Sequence, residues 1–165
     1  MDEQVKDIEQ VADLIRGIRV AMLTTVGSDG ELHGRPMATQ DLDFDGTLWF
    51  FTAAGSAKAD ALSQDPRVAV AYSDEPRSRY VSLSGTARVV RDQKKIRELW
   101  KPILKAWFPK GLDDPELALL EVTVTGGEYW DAPSSRLVRL ARMVQGALTG
   151  SGMPAGEHGH VDLHH

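Results

Sequence analysis

The residues best suited to binding chemistry lie where an apolar strand ends and a helix begins. Residues 50–58 read Phe-Phe-Thr-Ala-Ala-Gly-Ser-Ala-Lys. The glycine predicts a turn and Ser56 a helix N-cap, so free backbone N–H groups and the positive end of the helix dipole meet there. Lys58 adds a full positive charge in the first helical turn. The combination predicts an anion site suited to a phosphate group, and the alternative is an ordinary capped helix with a solvated lysine.

A second cation is expected beside this site. Arg35 lies in residues 32–39, Leu-His-Gly-Arg-Pro-Met-Ala-Thr, a stretch between two turns that predicts a strand. If this strand pairs as a hairpin with a strand at 47–52, Arg35 and Thr52 would face one ligand. A guanidinium binds phosphate through two parallel hydrogen bonds and keeps its charge. The alternative is a surface arginine on an edge strand that Pro36 protects from further pairing.

The rest of the chain predicts mainly β structure that holds these two segments. Strands at about 18–25, 31–39 and 47–52 would form an antiparallel meander after a first helix that ends at Gly17. A helix from Ser56 and strands at 67–72 and 80–90 follow, with a bulge or a close backbone approach at Gly85. The remaining predicted elements are a helix capped by Asp92 with a kink or a break at Pro102, a strand at about 116–130, and a helix from about 134 to 148. Six strands with few helices favour a small antiparallel barrel.

Length and composition restrict the class of protein. The chain has 165 residues, of which 42% are hydrophobic and 26% charged, and these values fit one globular domain, here assigned to residues 1–149. No apolar run is long enough for a membrane span, and the charged first twenty residues do not resemble a signal peptide, so we expect a cytoplasmic protein. The absence of cysteine excludes disulfides and thiol chemistry. A net charge of −5 argues against nucleic-acid binding.

Residues 150–165 predict a flexible polar tail. This glycine-rich segment contains four of the five histidines, at His158, His160, His164 and His165. Histidines at such spacing can bind a metal ion only when a scaffold orients them. Because the segment shows no apolar scaffold, we expect no metal site.

The ordered set of motifs resembles the pyridoxamine 5′-phosphate oxidase-like flavin-binding split barrels, and within them the general stress protein subgroup. The motifs are Arg-Pro-Met at 35–37, Phe-Phe-Thr at 50–52, Gly-Ser-Ala-Lys at 55–58, Asp-Pro-Arg-Val at 65–68, Ser-Gly-Thr-Ala at 84–87 and Glu-Tyr-Trp at 128–130. The resemblance covers about residues 5–145. It implies an α+β, mainly β fold, a six-stranded antiparallel split barrel with flanking helices. It also implies a homodimer that holds flavin mononucleotide (FMN), with FAD as a second candidate, in grooves at its interface.

The resemblance assigns roles to individual residues around the flavin phosphate. Arg35 matches the arginine that reaches the ribityl phosphate, and Pro36 and Met37 belong to the same motif. Ser56 and Lys58 match the phosphate-binding pair.

Further roles concern the flavin ring. Phe51 and Thr52 match the strand segment whose backbone lines the ring. Trp130 resembles the aromatic residue that reaches the flavin of the partner chain, and Arg136 lies where the oxidases carry an Arg-Leu-His motif. The alternative for Trp130 is a core position, which is also what we expect for Trp100 and Trp107.

Departures from the oxidase pattern limit the catalytic prediction. Gln40 stands where the oxidases have a lysine, Val138 where they have a histidine, and residues 100–107 are unlike the segment that clamps their substrate. Oxidation of pyridoxamine phosphate is therefore not expected, and the isolated His33 suggests no catalytic group. Three functions stay open: a flavin-dependent oxidoreductase that uses a nicotinamide donor, a non-catalytic carrier of FMN or FAD, and a deazaflavin-dependent oxidoreductase.

Overall fold

The fold is an antiparallel sheet with short helices at its sides. The computed structural model describes residues 2–132, Val144 and residues 157–163. The helices are α1 (Asp2–Ile15), α2 (Ala57–Gln64) and α3 (Gln93–Leu99), and two 3₁₀ turns span Pro102–Ala106 and Gly111–Asp113. The strands are β1 (Val20–Val26), β2 (Leu32–Ala38), β3 (Thr47–Ala53), β4 (Arg67–Asp74), β5 (Arg79–Val90), β6 (Leu117–Asp131) and β7 (Glu157–Asp162). Among the described residues, no helix has both the length and the apolarity needed to cross a membrane.

The sheet is an open split barrel whose two end strands are β2 and β3. The hydrogen-bonded order is β2-β1-β4-β5-β6-β3, and β7 also pairs with β6. Strand β6 has 15 residues. Along one of its edges, its residues 117–123 pair with β3 and its residues 126–131 pair with β7. The predicted meander is therefore wrong at its third strand, because β3 pairs with β6 and not with β2.

Two apolar clusters occupy the two faces of β3. The inner cluster contains Phe50 with Leu23, Val70, Leu83, Leu120 and residues of α1. The outer cluster contains Phe51 with Ile96, Leu99, Leu104, Leu117 and Leu119. Since successive side chains of a strand point to opposite faces, β3 is covered on both sides by apolar partners. This double burial is what keeps β3 in place although it lies at the end of the sheet.

Three local predictions are confirmed. The Ser56 hydroxyl oxygen accepts a hydrogen bond from the Ala59 N–H at 3.2 Å, and Asp92 caps α3 in the same way. The register of β5 and β6 shifts between Ser84 and Gly85, as a bulge requires. A Cβ atom at Gly85 would collide with the carbonyl oxygen of Thr123, so the sheet needs glycine there.

The C-terminal segment differs from the flexible tail that we predicted, and it raises the number of described strands from six to seven. Strand β7 pairs with β6, and Val161 and Leu163 are 4% and 1% exposed. The apolar signal consists of these two residues alone, too short to separate a strand from a polar tail. The helix predicted at about 134–148 lies, apart from Val144, outside the described residues.

Candidate functional site

A small pocket lies between the two end strands of the open sheet. Its volume is about 200 Å³. Strand β2, strand β3, helix α2 and the segment after α3 all contribute to it, and the lining residues are Arg35, Pro36, Met37, Ala38, Phe51, Lys58, Leu104, Trp107 and Phe108. Five of the predicted site residues therefore meet in one place, although their strands do not pair: Arg35, Pro36, Met37, Phe51 and Lys58.

Arg35 enters the pocket from β2. One guanidinium nitrogen, Nη1, donates a hydrogen bond to the Thr25 hydroxyl at 2.9 Å, and Thr25 is itself only 1% exposed on the neighbouring strand β1. Partial burial lowers the pKa of Arg35, which keeps its charge at physiological pH. Among the described residues Arg35 forms no ion pair with a carboxylate. Its other N–H donors have no hydrogen-bond partner within residues 2–132 and 157–163, so they can bind a ligand.

Lys58 reaches the same pocket from the first turn of α2. Its ammonium nitrogen lies 3.5 Å from the sulfur of Met37, which accepts a weak hydrogen bond. Burial lowers the pKa of Lys58 to about 8, and the nearby charge of Arg35 contributes to the shift. Within the described part of the chain, no carboxylate pairs with Lys58 either. Two neighbouring cations without an acidic partner repel each other, and a bound anion would remove that repulsion.

The helix start adds a weaker contribution. Ser56 caps α2 two residues before Lys58, so both residues lie at the helix start where the sequence placed them. The carboxylate of Glu116 lies close to this helix start. A Cβ atom added at Gly55 would be 3.1 Å from Glu116 Oε2. A carboxylate there offsets part of the positive end of the short helix dipole. The side chains of Arg35 and Lys58 therefore dominate the positive character of the pocket.

A large groove adjoins the small pocket. Its volume is about 1090 Å³, and it shares Ala38, Leu104 and Trp107 with the pocket. Its walls combine aromatic and charged groups, and the ammonium of Lys95 lies 4.9 Å above the ring centre of Trp49. Lys101, Ile103, Leu104 and Trp107 come from the very segment that departs from the oxidase pattern. This segment therefore shapes the space next to the cations.

Among the described residues, three predicted site residues do not line the pocket: Thr52, Ser56 and Trp130. Thr52 lies on the face of β3 opposite Phe51, is 1% exposed, and its hydroxyl has no hydrogen-bond partner among the described residues. Trp130 lies 11 residues beyond Leu119, the β6 partner of Phe51, a separation of roughly 35 Å along the strand. The indole ring of Trp130 instead stacks on His158. Arg136 lies outside the described residues.

Sequence reasoning missed four residues that line the pocket, which are Ala38, Leu104, Trp107 and Phe108. It also missed Thr25, which holds Arg35 from the neighbouring strand. Trp107 is 48% exposed, so the core position expected for it is wrong. A signal was present, because Trp107 and Phe108 are consecutive and one helical face cannot bury both. Thr25 offered no signal, since its contact with Arg35 depends on strand pairing.

Comparison with known proteins finds solved structures of the same fold and proteins of related sequence. A solved structure from Jannaschia sp. CCS1, provisionally described as general stress protein 26, is 28% identical, with 97% of this chain and 99% of that chain covered and a TM-score of 0.74. The general stress FMN/FAD binding protein from Xanthomonas citri is 33% identical, with 79% and 92% covered and a TM-score of 0.67. Protein bli-3 of Neurospora crassa is 28% identical over 160 residues, which are 91% of this chain and 75% of that protein.

A family model supplies the assignment. The model described as pyridoxamine 5′-phosphate oxidase like matches residues 6–154, which include every described strand except β7. The matched region contains both end strands of the open sheet and the pocket between them. The chain therefore belongs to the pyridoxamine 5′-phosphate oxidase-like family.

Proposed function

We propose that the protein binds FMN and holds the FMN phosphate between Arg35 and Lys58. The observation that carries this proposal is the pair of partly buried cations that share one pocket and have no carboxylate partner among the described residues. A terminal phosphate carries a charge of about −1.5 to −2 at pH 7 and several acceptor oxygens, so it matches two cations well. The Xanthomonas citri relative, named as an FMN/FAD binding protein, supports a flavin as the ligand class.

The size of the pocket supports a ligand that extends beyond it. A volume of about 200 Å³ is below the range of about 300–1,000 Å³ that is usual for small-molecule sites. The pocket therefore suits the phosphate and the adjoining chain of the ligand, and a flat ring would need further walls. Phe51 and Trp107 provide apolar surface at the edge of the pocket.

We further propose a flavin-dependent oxidoreductase that takes electrons from NADH or NADPH. A bound flavin supplies the redox chemistry, so the protein needs to bind, orient and shield the ring rather than contribute an acid or base. The groove of about 1090 Å³ beside the pocket has room for a second substrate. Lys95 and Arg19 line this groove and form no ion pair among the described residues, so they can attract an anionic electron donor, whereas Lys101 is already paired with Asp41 at 3.7 Å.

Steady-state oxidation of NADH and NADPH by the FMN-loaded protein tests the catalytic part of the proposal. We expect turnover above that of free FMN at the same concentration, with dioxygen as the electron acceptor. A rate equal to that of free FMN, with FMN still bound, would favour the non-catalytic carrier. The absorption spectrum of the bound cofactor separates a flavin from a deazaflavin.

The pKa of Lys58 predicts a pH dependence of FMN affinity. In the free protein this pKa is about 8. A bound phosphate dianion favours the charged ammonium and raises the pKa of Lys58 in the complex. Between about pH 7 and 8 the affinity is therefore full, and it falls as the pH rises from about 8 towards the higher pKa of the complex, by up to about tenfold per pH unit. Titrations between about pH 7 and 9 should show this fall for FMN and not for riboflavin. An equal fall for both ligands would contradict the role of Lys58.

We also propose that the protein is a homodimer in which Trp130 contributes to the flavin site of the partner. Within one chain Trp130 is far from Phe51 along β6, and the small pocket is too small to enclose a whole flavin. We expect light scattering to give twice the chain mass of 18.1 kDa. A mass of 18.1 kDa with FMN still bound would rule out the shared site.

A further inference from the structure

Two histidines of β7 and one glutamate of β6 form a cluster away from the small pocket. His158 and His160 are two residues apart on β7, so their side chains lie on the same face of the strand. The strand register places Glu128 opposite His160 and Trp130 opposite His158. The cluster is therefore built by the pairing of β6 with β7.

The distances within the cluster fit a metal ion. His158 Nε2 lies 3.2 Å from Glu128 Oε2, and His160 Nδ1 lies 3.6 Å from Glu128 Oε1. One ligand atom from each of the three side chains lies within 4.8 Å of the other two. In a tetrahedral zinc site with bonds of about 2.0–2.1 Å, neighbouring ligand atoms are roughly 3.3–3.4 Å apart. Small rotations of the side chains would bring all three ligands to that spacing.

The structure provides the apolar scaffold that we did not expect for these histidines from the sequence. The opposite face of β7 is held in the core by Val161 and Leu163. Gly159 lies against the ring of Tyr129, and a Cβ atom there would collide with that ring. These contacts hold the strand that carries the two histidines.

The ring of His158 is also oriented by a neighbour. The indole of Trp130 stacks on it with a centroid distance of 5.0 Å and an interplanar angle of 7°. A ligand that is already oriented loses less conformational freedom when a metal binds. Within one chain the cluster is open to solvent, since the side chains of His158 and Glu128 are each 42% exposed. An ion can therefore enter, and a water molecule can fill a fourth position.

We propose that Glu128, His158 and His160 form a zinc site that joins β7 to β6. Two imidazoles and one carboxylate are the ligand types that Zn²⁺ accepts, whereas Mg²⁺ and Ca²⁺ prefer sites made of oxygen atoms alone. A bound ion would connect the C-terminal strand to the long central strand and stabilise the folded protein by mass action.

Calorimetric titration of the full chain with Zn²⁺ in a non-chelating buffer tests the proposal. We expect one ion per chain and no binding of Mg²⁺. Loss of a residue that only hydrogen-bonds to a metal ligand commonly weakens metal binding about 10- to 100-fold. Loss of a ligand itself should cost at least as much, so Glu128→Gln and His160→Gln should each weaken Zn²⁺ binding at least about tenfold. His33→Gln is the matched control, because His33 lies 3.3 Å from Asp29 in an exposed pair to which the described part of the chain adds no third ligand. This control should bind Zn²⁺ as the wild type does.

Thermal unfolding provides a second readout that does not depend on a cofactor. Zn²⁺ should raise the Tm of the wild type and leave that of the double variant His158→Gln/His160→Gln unchanged. A further control, His164→Gln/His165→Gln, should keep both the affinity and the Tm shift. Three results would each overturn the proposal. They are no Zn²⁺ binding by the wild type, binding by Glu128→Gln and His160→Gln as tight as that of the wild type, and a loss of binding confined to the terminal histidine variant.

Discussion

Replacement of Lys58 by alanine should weaken FMN binding by about 1.5–3 kcal/mol, which is roughly 10- to 150-fold, and should leave riboflavin binding unchanged. The reason is that the ammonium of Lys58 lies in the pocket with Arg35 and has no acidic partner among the described residues. Riboflavin has no phosphate, so it does not report on this charge. Titration of both ligands, followed by flavin fluorescence, measures the two affinities.

Lys94 offers a matched control for this variant. It follows the N-cap Asp92 of α3 by two residues, just as Lys58 follows the N-cap Ser56 of α2. Lys94 is exposed and does not line the small pocket. Lys94→Ala should therefore leave both affinities unchanged. Equal losses of FMN and riboflavin affinity in Lys58→Ala would show that Lys58 does not recognise the phosphate.

Phe50→Ala should lower the free energy of unfolding by about 3–5 kcal/mol without changing the way the folded protein binds FMN. Phe50 is 1% exposed and belongs to the inner cluster, whereas the next residue, Phe51, lines the small pocket on the opposite face of β3. Urea denaturation measures the stability loss. The milder variants Phe50→Leu and Phe51→Leu then serve for FMN titration under conditions in which both are folded.

The two leucine variants should separate the faces of β3. Phe51 packs edge-on against Trp100 at a centroid distance of 5.6 Å, so Phe51→Leu should lower both the stability and the FMN affinity. Phe50→Leu should lower the stability alone. If FMN affinity fell equally in the two variants, the assignment of the pocket to the Phe51 face would be wrong.

Features decided by near neighbours in the chain could be predicted from the sequence. Ser56 and Asp92 cap their helices because each side chain reaches a backbone N–H only two or three residues away. Gly85 marks the shift in register within β5 because a side chain there would meet the backbone of β6. The motifs at 35–37 and 55–58 indicated the two cations of the pocket for the same reason, since each motif is short and continuous.

Features decided by long-range pairing could not be predicted in the same way. Strand β3 pairs with β6, more than sixty residues later, because its two apolar faces need partners that β2 cannot supply. Arg35 and Lys58 therefore meet across the gap between the end strands and not along a hairpin. The position of Thr52 could have been predicted, because successive side chains of a strand point to opposite faces and that of Thr52 must therefore point away from that of Phe51.

The most direct test of the central claim, that the protein holds a phosphorylated flavin, uses the purified wild-type protein. Its absorption spectrum should show a flavin after saturation with FMN, and mass analysis of the cofactor released from protein purified from cells should identify FMN. The binding of riboflavin should be weaker than that of FMN by at least the factor lost in Lys58→Ala. A protein that binds riboflavin as tightly as FMN, or that shows no flavin absorption after saturation and removal of free ligand, would contradict the account.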